Sequence, residues 1–363
     1  MQETDSPAQR QPLTMSRRRM LASAALSATG LSALAACSNT TNNNNTSASG
    51  SGGGGNFPSH PKWKFVFVNH VTTNAFFTPT RYGIEDACAL LGCTYQWVGS
   101  ESSKVSEMVD AMNAAISSKA DGIAVALIDP TAFNAPTEAA LSAGIPVLSY
   151  NADVPANSPN KRLAYIGQDL YQSGLQVGAH IISLVPSGEV VGFIATPGSL
   201  NIQPRIDGIH DAIKNSGKPI NFSEIATGAA VNDELAAVEA YYLGHKNIKG
   251  MFAVDGGSTQ SVGQIMEKYS LASKGIHGGG YDLQPITLSE VSKGNLDFTV
   301  DQQPYLQGFL PVVQLFLYKL SGGLSQPSST NTGLLFVTKN NVQTYLKTQT
   351  RFEGSSDKEV LVK

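Results

Sequence analysis

Polar side chains recur along this 363-residue chain just after short apolar runs. The run over 64–69 is followed by Asn74 and the pair Phe76-Phe77, and the run over 122–128 ends at Asp129. The run over 146–150 ends at Asn151 and Asp153. Further on, residues 190–195 lead through Thr196 and Ser199 to Arg205, residues 251–254 end at Asp255, and residues 276–280 end at Tyr281-Asp282. Carboxylates, carboxamides and a guanidinium beside aromatic rings suit a ligand covered with hydroxyl groups. Planar polar groups can each grip adjacent hydroxyls. Rings cover the apolar C–H faces at little cost in side-chain freedom. A site of that kind rejects analogues that lack the hydroxyls, because its own buried groups would stay unpaired.

Each residue also has a plainer use. Asp129 and Asp282 fit helix caps, Phe76 and Phe77 fit a core, and Arg205 fits an ion pair with Asp207 or Asp211 on a helix face. The shared placement after apolar runs is what joins them.

The runs themselves read as strands. Helical patterns over 80–91, 105–118 and 132–143 alternate with strands at 64–69, 94–98, 122–128 and 146–150. The stretch 122–128 is almost wholly apolar, as a strand covered on both faces should be. The rhythm restarts after a joint near 164–168, with strands at 190–195, 221–226, 251–254 and 276–280 and helices at 203–214, 233–243 and 258–270. Such alternation predicts an α/β fold of two doubly wound parallel-sheet lobes. In open parallel sheets ligands sit beyond the carboxyl ends of the strands, which is where the polar residues lie.

The first 61 residues differ in kind. Arg17, Arg18 and Arg19 precede an uncharged stretch over 20–36 that ends Leu34-Ala35-Ala36-Cys37. A basic flank, a short apolar run and small residues predict an export signal over 1–36, and 17 residues fall short of a comfortable membrane span. Leu34 to Cys37 resembles a lipobox, which implies lipidation of Cys37. The arginine pair resembles a twin-arginine signal, with the Sec route as the alternative. Residues 38–61, rich in Ser, Asn, Thr and Gly, read as part of a flexible tether over 37–61. A multiply acylated Cys37 would anchor the protein on the outer face of the membrane or in the periplasm.

Four of the 25 basic and two of the 28 acidic residues lie within 1–36, leaving 21 against 26. That balance offers no field for nucleic acid. The remaining cysteines, Cys88 and Cys93, are close enough for a local disulfide outside the cytoplasm, or for two small core residues. Six histidines are scattered. No His-Glu-x-x-His, Gly-x-Ser-x-Gly or phosphate-loop pattern occurs, so neither a metal nor a cofactor is expected and an enzyme is the weaker reading.

Seven short matches in order resemble the ribose-binding-protein type of periplasmic sugar-binding protein. They are Asn74-Ala75-Phe76-Phe77, Ile128 to Thr131, Gly144 to Val147, Arg205 to Gly208, Phe252 to Asp255, Gly280 to Asp282, and Val300-Asp301-Gln302 followed by Pro304. The resemblance implies a type I periplasmic binding fold with three hinge crossings. Lobe one would be 62–167 plus 303–335, and lobe two 168–302 plus 336–363. It implies a monomeric solute-binding lipoprotein of an ABC importer, closing on a monosaccharide or polyol and recognised by a permease. The implied contacts are Asn74, Phe76, Phe77, Asp129, Asn151, Arg205, Asp255, Asp282 and Gln302, with Asp153 and Asn232 beside them. Where the family has an Asp-Arg pair this chain has Asn151-Ala152, and the usual lobe-two aromatic has become Ala230 or Val231. Both departures point away from ribose, toward another aldose or an open-chain polyol. A nucleoside, a quorum-type signal or a role presenting ligand to a membrane sensor remain as alternatives.

Overall fold

The computed structural model describes residues 58–358 apart from Gln326 and Gln349. The expected signal segment, Cys37 and nearly all of the tether lie outside the described residues.

The first sheet is laid down by β1 (Lys64–Asn69), α1 (Thr78–Leu91), β2 (Thr94–Gly99), α2 (Val105–Ser117), β3 (Gly122–Val125), α3 (Asn134–Ser142), β4 (Val147–Tyr150) and β5 (Ala164–Gly167). The chain then crosses and builds a second. Its elements are α4 (Leu170–Leu184), β6 (Gly188–Ile194), α5 (Gln203–Ser216), β7 (Ile220–Ala226), α6 (Val231–Gly244), β8 (Gly250–Ala253), α7 (Gly256–Lys268), β9 (His277–Tyr281), α8 (Pro285–Lys293) and β10 (Phe298–Asp301). It returns through α9 (Pro304–Leu320) and β11 (Ser329–Asn331), and ends with β12 (Leu335–Thr338) and α10 (Val342–Lys347). The strand orders are β11-β5-β4-β3-β1-β2 and β12-β10-β9-β8-β6-β7. Pairing is parallel except for β10 with β12. This is the two-lobed type I periplasmic binding fold.

Central strands are apolar because helices cover both faces. In β1 residues 65–69 are buried, whereas the edge strand β2 is only half-buried. The run expected as a strand to residue 128 leaves the ladder at Val125. Leu127 N–H turns to Ala152 O and Ile128 N–H to Ala126 O, so 126–128 stay buried outside the sheet. Each lobe also brings two helices into backbone contact at glycines. A Cβ on Gly83 of α1 would overlap the Tyr305 carbonyl oxygen of α9, and one on Gly174 of α4 would overlap the Arg205 carbonyl oxygen of α5.

The chain passes between sheets near 168–169, 302–303 and 332–334. A buried polar network ties these crossings. Gln168 Nε2 donates to Gly333 O at 3.3 Å, Thr332 Oγ1 to Gln302 O at 2.8 Å, and Gln307 Nε2 to Gln302 Oε1 at 3.1 Å. Leu335 already belongs to β12 and thus to the second sheet rather than the first.

The end of the tail departs from its expected place in lobe two. Its first part does pack there, β12 against β10 and α10 against α8. Arg351 instead pairs with Glu85 and Asp86 of α1 at 2.9 Å each and lies 4.2 Å over the Tyr82 ring. Two carboxylates on one helix turn outcompete the nearer lobe. The disulfide is likewise absent. Cys88 and Cys93 are free, buried thiols in hydrogen-bonding contact, with Cys93 N–H donating to Cys88 O at 3.1 Å. The spacing brings them together, and they pack as core residues.

Candidate functional site

The carboxyl ends of both sheets face a cavity of about 370 Å³ between the lobes. Lobe one lines it from the turn after β1. Asn74 Oδ1 accepts the Phe76 N–H at 2.9 Å and so caps a single 3-10 turn, Ala75–Phe77. That turn sets the two rings edge to face, 4.8 Å apart. Phe77 is buried against Trp97 and His70, leaving half-buried Phe76 as the apolar wall. Asn151, at the end of β4, holds a left-handed backbone (φ 62°) and donates through Nδ2 to Gln307 Oε1 at 3.0 Å.

Lobe two supplies the charge. Arg205, in the first turn of α5, is 2% exposed. Its guanidinium lies 4.2 Å over the Tyr281 ring, with Nη1 donating to Val254 O at 2.9 Å and Nε to Gln168 Oε1 at 3.2 Å. Stacking and two fixed acceptors lock the fork in one orientation, which a lysine could not reproduce. Asp255 caps α7, accepting Ser258 N–H and Ala195 N–H at 2.9 Å each. Asp282, also left-handed (φ 76°), accepts from Gln302 Nε2 at 2.6 Å. Burial pushes its carboxyl up to about 6, against the pull of Arg205 and Gln302.

The structure thus gathers Asn74, Phe76, Phe77, Asn151, Arg205, Asp255, Asp282 and Gln302 around one space. Three expected residues do not line it. Asp129 Oδ1 accepts Thr131 N–H and Ala132 N–H at 2.8 Å each. Burial works against that anion, but the two amides outweigh it and hold its pKa below the usual range. Asp153 is bound to Arg162 and accepts from Ser149 Oγ at 2.7 Å. Asn232 lies exposed, because α6 begins at Val231 and its helical phase turns Glu234 inward instead, with exposed Val231 beside the cavity.

Several lining residues are not marked by the sequence, and two of them are buried titratable groups. His70, next after β1, is 5% exposed, and its Nε2 lies 3.4 Å from Asn201 Nδ2 across the lobes. Burial pushes the imidazole down to about 4, so it is neutral near pH 7. Its place at a strand end was the available signal. Glu234 is 3% exposed and touches Asp255. In sequence it looks like any acid in a first helical turn, so nothing flagged it. The cavity is therefore lined by three carboxyl groups and one guanidinium. Fixed acceptors, one fixed donor fork and an aromatic wall can hold a neutral polyhydroxylated molecule.

Comparison with known proteins agrees with this architecture. The periplasmic binding protein domain family matches residues 65–322. The xylose/arabinose-binding protein XylF of Sulfolobus acidocaldarius is 53% identical over 311 residues, spanning 82% of this chain and 76% of that protein. An ABC transporter solute-binding protein from Burkholderia graminis, solved with D-arabinose, superposes with a TM-score of 0.73 at 26% identity, covering 80% of this chain and 99% of its own. A carbohydrate transporter protein from Acidothermus cellulolyticus, solved with myo-inositol, shares the fold with a TM-score of 0.70 at 23% identity, covering 82% and 100%. On the span of the family match and the identity to its curated relative, this chain belongs to the periplasmic binding protein domain family.

Proposed function

We propose that the chain is an extracytoplasmic binding protein that captures an aldopentose between its lobes and delivers it to an ABC importer. The observation that carries this reading is the lobe-spanning cavity. Its neutral-ligand chemistry coincides with 53% identity to a protein named for xylose and arabinose. A volume of about 370 Å³ falls within the range of small-molecule sites, roughly 300–1,000 Å³. Contacts from both lobes favour the closed form, so the ligand shifts the hinge equilibrium by its differential affinity, and a permease can read closure. Binding is the whole activity, and the sugar leaves chemically unchanged.

A panel of D-xylose, L-arabinose, D-ribose, myo-inositol and adenosine tests this by thermal shift. A ligand at a hundred times its Kd stabilises by about 2.7 kcal/mol, so the expected result is a midpoint raised by several degrees with xylose or arabinose. A shift from adenosine alone would overturn the pentose reading.

Export and anchoring complete the proposal. Cys37 is lipidated and holds the lobes at the membrane surface by the tether that follows it. Replacing Cys37 with serine should move the protein from the membrane fraction to the soluble one. Unchanged fractionation would remove the anchor.

A further inference from the structure

Two carboxyl groups touch in the lobe-two wall of the cavity. Glu234, in the first turn of α6, lies in contact with Asp255. A hydrogen bond between the two needs a proton, since ionised carboxylates can only accept. The surroundings decide which group keeps it. Burial pushes the Asp255 carboxyl up as well, but it accepts two backbone amides and caps the N-terminus of α7, which favour its anion. Glu234 has no comparable support. Its Oε2 is buried without a hydrogen-bond partner, and its carboxyl lies against Gly257, where any Cβ would overlap it.

The charges around it do not help an anion. Asp233 shares its helical turn, and Asp255 and Asp282 line the same wall. Arg205, the cation of the cavity lining, is engaged with Gln168 and Val254 and stacked on Tyr281. From lobe one the facing titratable group is His70, which is neutral. An ionised Glu234 would be a buried charge beside another of the same sign.

We propose that Glu234 is a neutral carboxylic acid whose proton bridges to Asp255, holding that carboxylate in place to accept a sugar hydroxyl, and that losing this proton switches the cleft off. Glu234 is a positioning residue acting through Asp255, and the idea rests on the sugar reading above. Burial first, then Asp255 and Asp233, push its pKa from 4.5 up to about 8. The folded chain therefore holds the proton more tightly than the unfolded one. The associated stability is complete below 4.5 and is lost as pH rises toward 8. Affinity runs the same way, falling as pH passes 8. Aldose hydroxyls stay protonated throughout, so the slope belongs to the protein.

The first experiment needs no sugar. In the ligand-free chain carrying carbon-13 glutamate, the Glu234 carboxyl resonance is assigned by its loss in Glu234→Gln and then titrated. The expected midpoint is near 8. A midpoint in the ordinary glutamate range, about 4 to 5, overturns the proposal whatever the ligand proves to be. The second is calorimetry with D-xylose at about pH 6.5 and pH 9.5, on either side of that midpoint. Wild-type affinity should weaken at least about tenfold at the higher pH. Glu234→Gln keeps a neutral donor, so it should bind like wild type at the lower pH and hold that affinity at the higher one, while Glu234→Leu should bind weakly at both. A glutamine variant that loses affinity with pH as wild type does would refute the bridge. D-xylose failing to bind at either pH counts against the pentose reading alone, and the resonance titration still decides Glu234.

Discussion

Replacing Arg205 with alanine should weaken pentose binding roughly 30- to 150-fold. Hydrogen bonds to charged groups contribute about 1.5–3 kcal/mol net, and a loss of about 2–3 kcal/mol corresponds to that range of Kd. The effect is large because the fork is already oriented by Tyr281, Gln168 and Val254 O, so wild type spends no freedom in aiming it. Arg205→Lys should recover little, since a point charge on a flexible stem neither stacks nor presents two parallel donors. Asp129→Ala is the contrast. Its carboxylate serves the Thr131 and Ala132 amides outside the cavity, so affinity should stay within about twofold while some stability is lost. Calorimetry on the three variants decides. Equal losses from Arg205→Ala and Asp129→Ala would move the site away from the α5 terminus.

Gly83→Ala should be a damaging substitution for stability despite adding one carbon. On a helix, alanine is ordinarily favoured over glycine by about 1 kcal/mol. Here the added carbon would meet backbone atoms of Tyr305 and Phe309, which cannot rotate away as a side chain could. Helices α1 and α9 must then part, and overpacking of this kind costs about 3 kcal/mol. The net expectation, about 2 kcal/mol, is a midpoint lowered by roughly 3–5 °C. Gly244→Ala provides the control, because a Cβ at the end of α6 meets nothing within 4 Å. It should leave the midpoint unchanged or slightly raised. A Gly83→Ala protein that melts with wild type would show that the two helices have slack the structure does not display.

Most of the fold was legible because its signals are local. A strand covered by helices on both faces has to be apolar, and β1, β3 and β4 show that in sequence. The positions of Asn74, Arg205, Asp255 and Asp282 followed from the same source, since the end of a strand is where a parallel sheet exposes its ligand face. What escaped depends on distant partners. Asp153 reads the same whether it faces the cleft or Arg162, and only the folded chain shows that Arg162 takes it. Asn232 failed by one residue of helical phase, an error of about 100° around α6. Glu234 is inconspicuous until Gly257 and Asp255 are seen beside it. Only the end of the tail, around Arg351, lies against the other lobe, because an arginine carries no mark of which of two lobes holds its carboxylates.

The left-handed backbones of Asn151 and Asp282 carry a consequence for how this cleft can change over generations. Both residues sit in a conformation that glycine adopts freely and that costs other residues about 1–3 kcal/mol. Backbone stability alone would favour glycine at each position, but glycine would leave Gln307 Oε1 and Gln302 Nε2 without their buried partners, a loss of about 1–3 kcal/mol each. The two side chains are therefore held by the hinge network as well as by any ligand, and should persist even in a descendant relieved of its transport duty.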